Sequence, residues 1–330
     1  MLNLLTALCN AWGPAGAEQQ IRALIAGYAQ AHSTEVQTDT LGNLIVRQGT
    51  PGGKRIMLSA HMDEIGLMVT FIDDDGFLRF TTVGGVSPAV LYGQPVRFAD
   101  GLTGVVHCEK LNDIKDLKIE RMYIDIGAES KAAAEERVAI GDMCCYHQSL
   151  RQVGKRVVGK ALDDRVGCAV LLSVMQQISQ TPYDIYYVFS VQEEVGAHGA
   201  KTAAFAIEPH LGLAVDVTGV GDTPNTVPLA MKLGAGAAIK VMDRSVICHP
   251  KVRGLLDSTA KDKNIPHQVE VLPYGGTDAG PIHTSRAGVP SGAVSIPTRY
   301  VHTPGEMVDL SDVQACIDLL TAFLTTKCSW

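Results

Sequence analysis

No apolar run among the 330 residues approaches the roughly 20 residues that cross a bilayer as a helix. A helical membrane anchor is therefore not expected, and no membrane partner. A basic excess is also missing. Lys and Arg number 28 against 35 Asp and Glu, a net charge of −7, so the general electrostatic footprint of a nucleic-acid binder is absent and none is expected as a partner. The opening Met1 to Asn10 is mildly apolar but has neither a basic region nor a small-residue cleavage site. An export signal is not expected, and the cytoplasm is the expected location. No C-x-x-C pair occurs among the eight cysteines at 9, 108, 144, 145, 168, 248, 316 and 328, so they read as reduced, mostly buried thiols. Cys144 and Cys145 are adjacent in a strand-like run and point to opposite faces, which suits packing better than metal binding. Internal repeats and low-complexity segments are missing as well.

What is present is an ordinary globular composition, 46% hydrophobic and 19% charged, in a chain long enough for two domains. Ile21, Leu24, Ile25 and Tyr28 carry the spacing of an amphipathic helix. A turn at Leu41-Gly42-Asn43 leads into a strand at Leu44-Ile45-Val46, and Ile56 to Ala60 reads as a central strand. From about Gly66 to Gly154 the texture changes to short β-like runs broken by Gly, Asp and Pro, with a hairpin signal at Asp75-Gly76. Strand and helix patterns then alternate again: strands at 156–159, 185–190, 211–217, 235–241 and 289–296, and helices at 166–178, 200–207 and 255–263. Gly275 to Asp278 forms a tight loop before a short helix with Pro281 in its first turn. Ser311 and Gln314 have capping-box spacing at the start of a last helix. The expected fold is α/β. A three-layer α/β/α domain spans 1–65 and 155–330, and a small all-β, barrel-like domain is inserted at 66–154.

Five points in this pattern carry acids or imidazoles at the ends of apolar runs: His61-Met62-Asp63, Asp163-Asp164, Glu193-Glu194, Asp216 and His302. Each has a plain alternative. His61 and Asp63 share a strand face, so the carboxylate can fix the imidazole, but a surface pair has the same spelling. Asp163-Asp164 suits a helix start as well as a bridging carboxylate. Glu193-Glu194 ends a buried strand, where two anions repel unless a cation or proton intervenes. Asp216 lies within an apolar run, as a partnered acid or a turn cap. The weight comes from all five lying at strand ends of one α/β pattern, where such folds place their sites. Two imidazoles with several carboxylates suit zinc, cobalt or manganese better than magnesium or calcium.

These residues carry a resemblance. Ser59-Ala60-His61-Met62-Asp63-Glu64-Ile65-Gly66, Gly159 to Arg165, Gln192-Glu193-Glu194-Val195-Gly196, Val215-Asp216-Val217-Thr218, Gly275 to Gly280 and Tyr300-Val301-His302-Thr303-Pro304 resemble the M42 metallo-aminopeptidases, the glutamyl and tetrahedral aminopeptidase group. The resemblance implies two divalent metals per subunit. His61 would ligate one and His302 the other, Asp163 would bridge them, and Glu194 and Asp216 would complete the shells. Glu193 would be the general base and Asp63 would orient His61. The inserted domain would mediate dimerisation, with dimers assembling into a tetrahedral dodecamer. His198 stands where relatives often carry arginine, Pro281 stands where a small residue is commoner, and Asn112 to Lys118 matches least.

The implied activity is release of N-terminal residues from peptides with a free amine, through a water shared by two metals. An endoglucanase-type glycosidase is one alternative. It needs two carboxyls about 5–5.5 or 6.5–9.5 Å apart across one bond, and leaves His61 and His302 without a role. A non-catalytic, metal-stabilised scaffold is another, although structural zinc sites are usually cysteine-rich. Arg165 and Arg299 stand near the site in sequence, either to receive an acidic substrate side chain or to brace a ligand carboxylate.

Overall fold

The computed structural model describes residues 1–33 and 35–327; the thiol expected at Cys328 lies outside them. Four strands form the centre of the larger domain. Tyr183–Ser190, Lys54–His61, Leu211–Gly219 and Ser291–Arg299 lie side by side, each parallel to the next. They are near-continuous apolar runs because helices cover both faces. Alternate residues point to opposite sides. Ile56, Leu58 and Ala60 therefore join the core shared with helices Leu2–Asn10, Gln19–Ala29, Leu162–Gln177, Pro250–Asp262 and Leu310–Thr325. Met57 and Val188 pack on the other face, against helices His198–Ile207 and Ala279–His283.

Further strands extend this sheet to eleven among the described residues, antiparallel to their neighbours except His267–Val271, which runs parallel to Ala237–Met242. Leu44–Gly49 and Glu35–Thr38 continue it from Tyr183–Ser190. Glu306–Asp309, Arg156–Gly159 and Arg151–Val153 continue it from Ser291–Arg299. Ala237–Met242 and His267–Val271 branch from the same strand.

Between the central strand ending at His61 and the one starting at Arg156, the chain builds a second unit. Strands Gly66–Ile72, Leu78–Val83, Pro95–Phe98, Thr103–Cys108, Met122–Asp125 and Met143–Tyr146 close into a barrel around a core of its own that includes Leu78, Val96, Val106, Met122 and Ile124. The architecture is a three-layer α/β/α domain with an inserted small β-barrel.

Four local features differ from the sequence expectations. The last barrel strand ends at Tyr146, whereas the insertion was expected to run to 154. Arg151–Val153 joins the larger sheet instead, as a hairpin with Arg156–Gly159 in which Val153 faces Arg156. The two-residue turn places Gly154 at φ 63, a left-handed position that glycine fills without strain. The last helix is capped by Asp309, which accepts from the Ser311 N–H at 3.0 Å, while Gln314 donates to Asp318 instead of closing a capping box. The sequence pattern predicts no element over Met1 to Asn10, yet Leu2–Asn10 is helical and buries Leu5, Leu8 and Cys9. The sequence pattern predicts no strand at Glu35–Thr38 or His267–Val271, because both are edge strands with few buried side chains and a weak apolar signal.

Leu58 is fully buried in the central strand, whereas Val153 is 58% exposed at a sheet edge. Leu58→Ala is expected to destabilise the protein by about 2–5 kcal/mol, and Val153→Ala by no more than about 0.5 kcal/mol. Urea unfolding of both variants checks this; equal midpoints would contradict the assigned core.

Candidate metal centre

The parallel strands bring their carboxyl ends to one edge of the sheet. Ser190 is level with His61 in the pairing, so Glu193 and Glu194, just past that strand, arrive beside the imidazole. Asp216 lies two residues further along its strand than the last residue paired with Lys54–His61. Asp163 comes from the neighbouring connection after Arg156–Gly159. Its peptide bond to Asp164 is cis, and both residues precede the regular helical backbone of Leu162–Gln177. His302 follows Ser291–Arg299 in a loop where it adopts φ 64.

The side chains from these five points converge. The two carboxylate oxygens of Asp163 face two different imidazoles: Oδ1 lies 3.0 Å from His61 Nε2, and Oδ2 lies 3.2 Å from His302 Nε2. Glu194 Oε2 is also 3.2 Å from His302 Nε2. Asp216 Oδ1 and Glu193 Oε2 each lie 4.0 Å from His61 Nε2. The arrangement is two half-sites that share Asp163, with His61 and Asp216 on one side and His302 and Glu194 on the other. His61, Asp163 and Glu194 offer donor atoms within 4.8 Å of one another.

The surrounding groups orient the imidazoles. His61 Nδ1 lies 3.2 Å from the Asp63 carbonyl oxygen, and His302 Nδ1 lies 2.9 Å from the Gly85 carbonyl oxygen. A carbonyl only accepts, so each Nδ1 carries a proton, and each Nε2 faces the acids, donating to Asp163 when protonated and offering a cation its lone pair once that proton is lost. The Asp63 carboxylate is 3.5 Å from His61 Nδ1, and it accepts the backbone N–H groups of Glu193 and Glu194 at 3.0 and 3.1 Å. It therefore positions the two glutamates as well as facing the histidine. Asp164 belongs to a cluster with His61 and Asp216, but its oxygens accept from the backbone N–H groups of His61 and Gly167. That leaves Asp163 as the acid facing both imidazoles.

Burial and mutual repulsion raise the proton affinity of the acids. Burial is the main cause for Glu193 and Asp216, both held well above the usual carboxylate range, and for Glu194, which is also raised. Burial opposes the charged imidazole at His302, but Asp163 and Glu194 outweigh it and push its pKa up to about 12. His61 is raised in the same way by Asp163 and Asp63. Asp163 is the exception: burial works against its charge, yet hydrogen bonds to His302 and His61 hold it below the usual range. The donor set thus gathers several acids around two imidazoles. Divalent cations fit it, because they relieve the repulsion that protons otherwise relieve.

Three groups that the sequence did not single out complete the site. Glu306 is 2% exposed and accepts the backbone N–H groups of Asp163 at 3.0 Å and His302 at 2.8 Å, one from each half-site partner. Asp278 is buried below the centre, where Oδ2 accepts from the hydroxyls of Ser59 and Ser190. Gly84 and Gly85, on the barrel side, approach Glu194 and His302 so closely that a Cβ on Gly85 would lie 2.8 Å from His302 Nδ1. The Thr-Pro-Gly-Glu order after His302 is the available sequence signal for Glu306.

Arg165 and Arg299 do not take either role considered for them. Arg165 is fully buried, donates to the Leu8 and Gly13 carbonyls and lies 3.6 Å from Glu64. Arg299 makes a forked pair with Asp222 at 2.8 and 2.8 Å. His198 is exposed beside Gln192.

The M42 glutamyl aminopeptidase family model matches residues 42–319. The chain belongs to that family. It is 51% identical over 322 residues to a putative aminopeptidase of Acetivibrio thermocellus, covering 97% of each chain. Among solved structures it is similar to an aminopeptidase of the archaeon Desulfurococcus kamchatkensis, with a TM-score of 0.95 and 37% identity over 98% of this chain and 94% of that one. It is also similar to the TET1 peptidase of Pyrococcus horikoshii, with a TM-score of 0.90 and 33% identity over 99% of each chain; that protein is described as assembling into a tetrahedron or a large octahedral shell.

In this M42 protein the raised proton affinities set the sign of a pH effect. A cation held by His61, His302, Glu194 and Asp216 would displace protons that these groups hold more tightly than usual. Zinc affinity is therefore expected to weaken as pH falls from about 8 to about 6, with protons released on binding. Calorimetry of the metal-stripped protein in two buffers of different ionisation enthalpy measures both; a pH-independent affinity with no proton release would contradict it.

Proposed function

We propose that the protein is a metal-dependent aminopeptidase that removes single residues from the free N-termini of peptides. The observation that carries this reading is the position of Asp163 between two imidazoles, one oxygen to each. His61 and Asp216 would hold one divalent ion with Asp163, and His302 and Glu194 the other. Zinc, cobalt and manganese suit that donor set. When bound, such ions supply Lewis acidity, lowering the pKa of water and polarising a scissile carbonyl.

The chain's own residues do the rest. Glu193 is held well above the ordinary carboxylate range, chiefly by burial, and lies within the same cleft. It takes a proton from the attacking water and returns it to the leaving amine. Asp63 positions Glu193 and Glu194 through their backbone N–H groups and faces His61 Nδ1 from behind. Glu306 holds the backbones of Asp163 and His302, so the two half-sites keep one spacing.

A glycosidase reading is weaker. It assigns a task to two acids but none to the pair of imidazoles on Asp163. A closed structural metal site is weaker too, because the donor set opens on a cleft of about 530 Å³. The second large cleft, about 390 Å³, is lined by Glu35, Arg47 and Asp184 among others, but Arg47 is committed there to Glu35 and Asp184.

The barrel would serve as the dimerisation element of a homo-oligomer, with a tetrahedral dodecamer as the assembly. Exposed Phe71, Ile114 and Ile140 on the inserted segment and the likeness to the Pyrococcus horikoshii peptidase support this. The cytoplasm is the proposed location: the described cysteines are free and buried, which suits a reducing compartment. Among the described residues no helix is long and apolar enough to cross a membrane.

Glu193→Gln is expected to lower kcat on an aminoacyl-p-nitroanilide by about 10²–10⁴-fold, with both metals still bound by elemental analysis. Unchanged kcat at full metal content would reject Glu193 as the base.

A further inference from the structure

The cleft has a wall that the metal centre does not use. Past Asp216, the strand continues through Val217, Thr218 and Gly219, and Leu272 and Tyr274 face them from the segment after His267–Val271. Leu272 and Val217 are 7% and 8% exposed, and Tyr274 is 48% exposed. Gly219 lets the tyrosine close in, since a Cβ there would lie 3.0 Å from the Tyr274 hydroxyl. The Thr218 hydroxyl turns inward and donates to Glu270 at 2.9 Å, so its polar end points away from the cleft.

The charge distribution of this wall limits what it accepts. Among the described residues lining the cleft there is no Lys or Arg. Arg299 is bound to Asp222 and Arg165 is buried elsewhere. An acidic substrate side chain would therefore lose its hydration and meet no cation. The carboxylates that line the cleft, Asp163, Glu193, Glu194 and Asp216, all belong to the metal centre. Glu270, which accepts from Thr218 behind this wall, meets Lys240 and Thr218 through Oε1, and its other oxygen is buried as well, so it offers a lysine side chain no anion at the cleft surface.

We propose that this wall receives the side chain of the substrate's N-terminal residue and selects uncharged, apolar side chains of leucine to phenylalanine size over acidic and basic ones. The proposal rests on the aminopeptidase reading above and names its substrate class.

The test uses the intact assembled protein, stripped and refilled with zinc or cobalt. Rates are measured on leucyl-, methionyl-, phenylalanyl-, glutamyl- and lysyl-p-nitroanilide. The expected kcat/KM for the leucyl substrate exceeds the glutamyl and lysyl values at least tenfold, because an unpaired charge is rejected more strongly than a misfit in size. Tyr274→Arg, at a half-exposed position, places a cation on the wall. It is expected to move the glutamyl-to-leucyl ratio at least tenfold toward glutamyl at unchanged metal content. A glutamyl or lysyl substrate that equals or beats leucyl in the unaltered protein overturns this inference alone. An unchanged ratio in a folded, metal-loaded Tyr274→Arg protein removes the wall from the side-chain site. Failure to cleave any of the five substrates with both metals bound overturns the aminopeptidase reading, and this inference with it.

Discussion

Everything in the site turns on one carboxylate held between two imidazoles. Asp163 is 7% exposed, and an acid so placed normally becomes neutral or finds a cation. Here it faces an imidazole on each side and stays ionised more readily than a free aspartate. The other acids around it are less fully compensated: Glu194 faces the one imidazole of His302, and Glu193 and Asp216 lie 4.0 Å from His61. Glu193 and Asp216 are held toward their protonated forms by burial. One shared anion, two oriented nitrogens and a ring of acids short of positive charge make a site suited to metal cations.

The fold maintains this arrangement by bringing distant segments to one sheet edge. His61, Glu193, Glu194 and Asp216 come from three adjacent parallel strands, in the register that the central pairing dictates. The rest is supplied by backbone hydrogen bonds to buried acids. Asp63 holds the two glutamates, Glu306 holds Asp163 and His302, and Asp164 holds the His61 N–H. Second-layer groups of this kind commonly affect metal affinity 10–100-fold. The barrel also contributes directly, since the Gly85 carbonyl fixes His302. The inserted domain and the metal centre are thus mechanically linked through a glycine with no room for a side chain.

Much of this was legible in the sequence. The central strands were readable because parallel, doubly covered strands are continuous apolar runs, and the acids and imidazoles stood out where those runs stop. The barrel was readable from its short runs and turn residues. What escaped depended on contacts between segments far apart in the chain. Glu306 matters through N–H groups 143 and 4 residues away, and Gly85 through an imidazole 217 residues away. Spacing alone could not say whether Arg165 and Arg299 face the cleft; tertiary partners at Leu8, Gly13 and Asp222 turn them elsewhere. Edge strands and the helix Leu2–Asn10 were missed because short, partly exposed elements carry little periodic signal.

The central claim is that Asp163 joins two cation sites. Anomalous diffraction from crystals grown with excess zinc or cobalt tests it most directly. Two peaks are predicted, one on each side of the Asp163 carboxylate: one bounded by His61 and Asp216, the other by His302 and Glu194. A map with no peak beside Asp163, or with a single ion and His302 turned away from it, would contradict the account.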